Sequence, residues 1–132
     1  TAFVDDIYTV AEMLARQDDI NVLMVKDYIR CPKVNGYRSY HMIIEVPVFF
    51  SDRRENMRVE VQIRTIAMDF WASLDHQMKY KKDVEDASEI SDELKECAEV
   101  IAQTDLKMLA LRRKIEDRES RENPLKFDKD LP

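Results

Sequence analysis

Two short stretches hold the residue types that could do chemistry. The first, Lys33-Val34-Asn35-Gly36-Tyr37-Arg38-Ser39-Tyr40-His41, contains the only glycine among 132 residues. A glycine used once marks a place where no side chain fits, such as a turn with positive φ or a close backbone approach to a ligand. Lys26, Arg30, Lys33 and Arg38 gather around it in a chain of net charge −6, and this local reversal of sign points to a small anionic ligand. Tyr37 adds an aromatic face beside the turn, so a base carrying phosphates is the simplest ligand. The competing reading is a hairpin turn with solvated cations, since Asn-Gly is the strongest short hairpin signal.

In the second stretch, Met57 to Arg64, the apolar Met57, Val59, Val61 and Ile63 alternate with Arg58, Glu60, Gln62 and Arg64. At about 3.3 Å per residue, Glu60 stands about 6.6 Å from Arg58 and from Gln62 on one side of a sheet. An acid, an amide and two guanidinium groups beside a phosphate loop would form a catalytic row. The same pattern describes the wet face of an antiparallel sheet, and the residues alone leave both readings open.

The elements that must position these stretches can be read from periodicity. Ile7, Val10, Ala11, Leu14 and Ala15 recur at helical spacing behind Asp5 and Asp6, which predicts a helix over 5–17. Thr1 to Val4 leads straight into it, as though the chain began at the end of a strand. Ile20 to Ile29 is β-branched and stops at Cys31-Pro32, a strand followed by the loop. From Ser39 a second strand places Tyr40, Met42, Ile44 and Val46 on one face, with Ser39, His41, Ile43 and Glu45 on the other. Phe49 to Asn56 reads as a charged hairpin loop, and the apolar face of Met57 to Arg64 must enter the core. Thr65 can cap a helix running to about Lys79. Its expected buried stripe is Ile66, Phe70, Trp71, Leu74 and Met78, with Asp69, Ala72, Asp75, His76 and Lys79 on another face. Trp71 reads as core, and His76 as an ordinary surface or capping histidine.

Tyr80 to Glu89 is a charged break in the pattern. A long helix is then predicted from Ser91 to about Glu119, with a heptad seam of Leu94, Cys97, Ile101, Thr104, Met108, Leu111 and Ile115. At about 1.5 Å per residue it would extend about 42 Å, longer than one small sheet can cover. Part of it should therefore pack on another chain or on further residues. The expected organisation is one domain over 1–119 and a mobile tail over 120–132.

The bulk numbers exclude several classes. A chain of this length with 45% apolar residues can build one core. A pI near 5.0 disfavours extended nucleic-acid binding, which needs a broad basic face. Cys31 and Cys97 lie far apart, and His41 and His76 are the only histidines, so neither a zinc signature nor a disulfide framework is present. No apolar run approaches a membrane span, and no signal-peptide pattern opens the chain. These features predict a soluble, cytoplasmic protein.

Two segments together go beyond pattern. Pro32-Lys33-Val34-Asn35-Gly36-Tyr37-Arg38-Ser39-Tyr40-His41 and Val59-Glu60-Val61-Gln62-Ile63-Arg64-Thr65 resemble, in order and separation, the paired signatures of the RelA/SpoT-type alarmone synthetases, or GTP pyrophosphokinases. Ala67-Met68-Asp69-Phe70-Trp71-Ala72-Ser73-Leu74-Asp75-His76 is similar to the stand-alone small synthetases, and the resemblance covers roughly residues 3–118. It implies an α+β fold, a mixed β-sheet flanked by helices as in nucleotidyltransferases, with a long C-terminal helix.

The implied activity is transfer of the β,γ-pyrophosphate of ATP to the ribose 3′-hydroxyl of GDP or GTP, yielding ppGpp or pppGpp in the stringent response. The resemblance implies that Tyr37 stacks on guanine and that Lys33 and His41 approach the acceptor's phosphates. Glu60 is the implied Mg²⁺-linked carboxylate, supported by Gln62 and Arg64. Asp69 and Asp75 are placed near the guanine edge, and Asn35, Gly36 and Ala72 complete the substrate-binding set. Stacking by the ring alone predicts that Tyr37→Phe is nearly silent. A homotetramer is implied, which would account for the long helix. Val34 stands where the family usually has proline. The family's other metal-binding aspartate and its ATP-gripping basic residues belong to segments that would precede Thr1, so this chain alone is expected to turn over little. A guanine-nucleotide-binding remnant and an oligomeric scaffold without turnover are the alternatives.

Overall fold

The computed structural model describes residues 1–80 and 87–123. Helix α1 (Val4–Ala15) leads into three strands, β1 (Asn21–Asp27), β2 (Tyr40–Phe49) and β3 (Arg54–Ile63), followed by helices α2 (Ile66–Tyr80) and α3 (Ala87–Glu122). The sheet order is β1-β2-β3, and both pairings are antiparallel. The α+β class holds, but the described sheet is antiparallel where the resemblance implied a mixed one.

Apolar alternation dictates the core. Ile7 and Ala11 of α1 meet Met42 and Ile44 of β2, Ile63 of β3 and Met68 of α2. Only the end of the sheet nearest the helices is sealed this way. Val61 is half-buried, whereas Met57 and Val59 are 44% and 40% exposed, so the apolar face of β3 enters the core only at its C-terminal end.

Several boundaries shift for local reasons. Strand β1 ends at Asp27 rather than Ile29, because the Asp27 carboxylate accepts the Ile29 and Arg30 N–H groups at 2.9 and 3.0 Å and turns the chain. The charged excursion after Phe49 shrinks to a turn closed by Phe50 N–H on the Arg53 carbonyl at 2.7 Å. Arg54, Glu55 and Asn56 pair with Phe49, Val48 and Pro47 instead, since ladder bonds ask nothing of solvent-facing side chains.

Helix α2 begins as expected, with the Met68 N–H donating to Thr65 Oγ1 at 3.1 Å. Its rotation differs from the expected stripe. Met68 and Trp71 are buried, while Ile66, Phe70 and Met78 are exposed. The cause is Thr65, whose hydroxyl also donates to Asp105 Oδ2 of α3 at 2.8 Å and so fixes which side of α2 meets α3.

Helix α3 is 36 residues long, about 54 Å at 1.5 Å per residue. It starts at Ala87 rather than Ser91 and continues through Ser120–Glu122, where a tail was expected. The rest of that tail, and the charged break over 81–86, lie outside the described residues. Its covered side is formed by Leu94, Ala98, Ile101, Asp105, Leu109 and Arg112, whereas Cys97, Thr104, Met108, Leu111 and Ile115 of the predicted seam are exposed. Arg112 and Arg113 reach Asp6 and Asp5 of α1, each at 3.0 Å. Among the described residues, no helix is long and apolar enough to cross a membrane.

Candidate functional site

Antiparallel register assembles the site on the face of the sheet opposite the core. Lys26, His41 and Gln62 share one rung across β1, β2 and β3, and Met24, Ile43 and Glu60 share another. The loop before β2 folds over the end of this face. Gly36 N–H donates to the Lys33 carbonyl at 2.8 Å and Lys33 N–H to the Tyr37 carbonyl at 3.1 Å. The Asn35 side-chain oxygen accepts the Tyr37 N–H at 3.0 Å. Gly36 has φ of 96°, and a Cβ there would lie 2.7 Å from Ala98 Cβ of α3. Both reasons for a glycine therefore apply at one position: the turn is real, and it is pressed against a helix.

Within this frame the expected residues converge. Arg64 is the hub. Its guanidinium donates to Tyr37 Oη at 3.2 Å, to Gln62 Oε1, and to Asp69 Oδ1 at 3.0 Å, while its Nε reaches Ser39 Oγ at 3.3 Å. Gln62 Nε2 donates to Glu60 Oε1 at 3.1 Å. Tyr37 Oη lies 2.9 Å from His41 Nε2, and His41 Nδ1 lies 3.4 Å from Glu60 Oε1.

Arginine can only donate, so the Tyr37 oxygen accepts from Arg64. The direction of its contact with His41 Nε2 follows the imidazole tautomer, and a proton on Nδ1 would face Glu60. Burial holds the His41 pKa below its ordinary value; Glu60 works against this, and Arg64, Lys33 and Lys26 add to it.

Some members stand differently from their expected roles. His41 is only 9% exposed and sits edge-on to Tyr28 and Tyr37, beneath the site more than at its mouth. Lys33 Nζ rests 4.8 and 5.1 Å from the Tyr28 and Tyr37 ring centres. Arg38, one of the four cations around the glycine, turns away and donates to the Ala98 carbonyl at 2.7 Å. Arg30 also leaves, lying over the Tyr8 ring. Ala72 and Asp75 are half-buried on α2, and His76 is exposed.

Sequence reasoning missed Tyr28 and Ser39. Ser39 is fully buried between Arg64 and the Ile63 carbonyl; the signal was a serine opening β2 on the same face as His41.

Among the described residues, no three His, Cys, Asp or Glu side chains come together in a way that could hold a metal ion. Glu60 is a single carboxylate with a half-exposed side chain. That donor set suits Mg²⁺, which takes one or two carboxylates and completes its shell with water and substrate phosphates.

Comparison with known proteins shows the family. The GTP pyrophosphokinase YwaC of Bacillus subtilis (strain 168) is 48% identical over 115 residues, 87% of this chain and 55% of that protein. The crystal structure of small alarmone synthetase 2 from Bacillus subtilis superposes with a TM-score of 0.81 at 50% identity, covering 86% of this chain and 61% of that one. Small alarmone synthetase 1 from the same organism, bound to its product pppGpp, gives 0.79 at 35% identity, covering 87% and 58%. The chain thus spans about 55% of the length of the curated relative it matches. The profile described as "Region found in RelA / SpoT proteins" matches residues 1–85, which contain the glycine loop, the Glu60 strand and all of α2, and the chain belongs to the RelA/SpoT family.

Proposed function

We propose that the complete protein transfers the β,γ-pyrophosphate of ATP to the ribose 3′-hydroxyl of GDP or GTP. The observation that carries this is the bonded row Glu60–Gln62–Arg64–Tyr37–His41 on the open face of the sheet, in a chain whose relatives are named GTP pyrophosphokinases. The guanine stacks on Tyr37. For this Lys33, exposed and on a flexible stem, swings off the ring and delivers its charge to the acceptor's phosphates. Asp69 and Asp75 serve the guanine edge, and Asn35, Gly36 and Ala72 shape the pocket.

Glu60 accepts the proton of the 3′-hydroxyl, the freed oxygen bonds to the β-phosphorus of ATP, and the bond from that phosphorus to the α,β-bridging oxygen breaks, releasing AMP. Gln62 and Arg64 orient the carboxylate and keep positive charge beside the transferring group, since this chemistry asks chiefly for positioning and neutralisation. Glu60 is also the residue that would hold Mg²⁺, whose contribution when bound is further charge neutralisation at the phosphates.

The exposed strip Cys97, Met108, Leu111 and Ile115 of α3 is the face for self-association into a tetramer. Incubation of the complete protein with radiolabelled ATP and GDP or GTP tests the reading: labelled ppGpp or pppGpp with matching AMP is expected. GDP binding without transfer would replace it with a nucleotide-binding module, and neither binding nor transfer would leave a scaffold.

A further inference from the structure

Among the described residues four polar ones are buried, and three of them, Ser39, His41 and Thr65, adjoin the site directly. The fourth, Asp105, is on α3, on the far side of Thr65, and is 5% exposed. A carboxylate removed from water is costly unless its neighbours compensate it. Asp105 has two such neighbours. Thr65 donates to it at 2.8 Å, and Arg38 is the cation that acts on it. Burial pushes its carboxyl upward in pKa, while Thr65 and Arg38 pull it down.

Both neighbours sit at strategic points of the chain. Thr65 follows Arg64 directly and caps the helix that carries Asp69. Arg38 follows Tyr37 directly and is anchored on the Ala98 carbonyl, about two turns away along α3. The same stretch of α3 receives Gly36 against Ala98 and the Trp71 indole on the Leu94 carbonyl at 2.7 Å. The segment Leu94–Asp105 therefore touches the glycine loop, the β3–α2 junction and α2.

We infer that Asp105 is a positioning residue for the guanine-nucleotide acceptor, holding the β3–α2 junction through Thr65 so that Arg64 and Asp69 stay in register with Tyr37. It touches no substrate and acts through the junction it ties to α3. This rests on the proposed synthetase reading for the identity of the acceptor.

The test compares KM for GDP with KM for ATP in the complete protein. Asp105→Ala should raise KM for GDP about tenfold and leave KM for ATP within about twofold. Asp105→Asn keeps an acceptor oxygen for Thr65 and should recover most of the loss. Thr65→Val cuts the same link and also removes the cap on α2, so it should lose at least as much as Asp105→Ala, and the double variant should be no worse than Thr65→Val alone. A lower melting temperature with an unchanged KM for GDP, or additive losses in the double variant, would overturn the inference by reducing Asp105 to a packing residue. If Asp105→Ala does not fold, Thr65→Val decides on the same readout. If the unaltered protein transfers no pyrophosphate, the synthetase reading fails separately. GDP titration followed by the fluorescence of Trp71, the only tryptophan and 6.5 Å from the Tyr37 ring, then decides the inference: weaker GDP binding in Thr65→Val and Asp105→Ala supports it, and unchanged binding ends it.

Discussion

The two ends of the β2–β3 hairpin have the same alternating pattern and very different surroundings. At the Tyr40–Ile63 end, Met42 and Ile44 are almost fully buried on one face, while on the other Gln62 is hydrogen-bonded to Glu60 and His41 faces both Glu60 and the Tyr37 hydroxyl. At the Phe49–Arg54 end, Phe49, Met57 and every β3 residue from Arg54 to Glu60 are exposed. Alternation specifies the strand, but what covers it is decided by the helices. At the covered end α1 and α2 seal the apolar face, and the glycine loop and Arg64 tie the polar face into a bonded row. The difference between a wet face and a site is thus tertiary, and each end can be challenged separately.

The largest effect should come from Glu60→Gln in the complete protein. The change keeps the bond to Gln62 geometrically possible and removes the charge, so kcat should fall by at least about 100-fold while GDP affinity stays within a few-fold. A near-normal kcat would make the two ends of the hairpin equivalent and return Glu60 to a solvated face. Next is Gly36→Ala. With φ at 96° and a Cβ only 2.7 Å from Ala98 Cβ, the substitution should cost about 1 to 3 kcal/mol in thermal unfolding and weaken GDP binding with it.

Tyr37→Phe comes third, and here the geometry changes the expectation drawn from stacking alone. The hydroxyl joins Arg64 to His41, so its loss removes two hydrogen bonds, each worth about 0.5 to 1.5 kcal/mol. GDP binding should stay within about threefold while kcat falls about tenfold. Tyr37→Ala, which also removes the ring, should weaken GDP binding by about 1 to 3 kcal/mol. If Tyr37→Phe proves silent in both constants, the relay through the hydroxyl has no catalytic part.

These outcomes bear on what could be read in the sequence. The loop and the strand row were legible because their signals are local: one glycine after asparagine, and acid, amide and guanidinium at period two. The fate of neighbouring cations was not. Lys33 and Arg38 flank the same turn, yet one remains beside Tyr37 and the other caps a carbonyl of a helix sixty residues away. Helix rotation was also hidden. Helix α3 has two interleaved lines at steps of three and four, one through Ala98, Asp105 and Leu109 and one through Cys97, Met108 and Ile115. The expected seam drew on both lines, Leu94 and Ile101 coming from the first, yet only the line containing Asp105 is covered. Periodicity supplies a direction on each helix, but a pairing such as Thr65 with Asp105 chooses between them.

A smaller effect is expected from pH. His41 has a lowered folded pKa, so on acidification the unfolded chain takes up its proton first, near 6.5, and the folded chain resists. The contribution is complete above that value and is lost as pH falls through it toward the folded pKa. Melting temperatures measured between about pH 7.5 and pH 5.5 should therefore decline more steeply in the unaltered protein than in His41→Gln. Equal slopes would show that the imidazole is as solvated as in the unfolded chain.

The smallest effect should appear at the open end of the hairpin. Met57 belongs to the same apolar face as Ile63, but Met57 is 44% exposed and Ile63 only 7%. Burial, not residue type, sets the cost of removing a hydrophobic side chain, because the penalty follows the apolar area returned to water and the cavity left behind. Met57→Thr opens no cavity in this chain and keeps good strand propensity through a β-branched side chain. Its unfolding free energy should therefore change by no more than about 0.5 kcal/mol. The same substitution in the complete protein sharpens the comparison. A cost above about 1 kcal/mol there, with none in the 132-residue chain, would mean that another part of the protein lies over Met57 and Val59, extending to the open end the covering that α1 and α2 supply at the other.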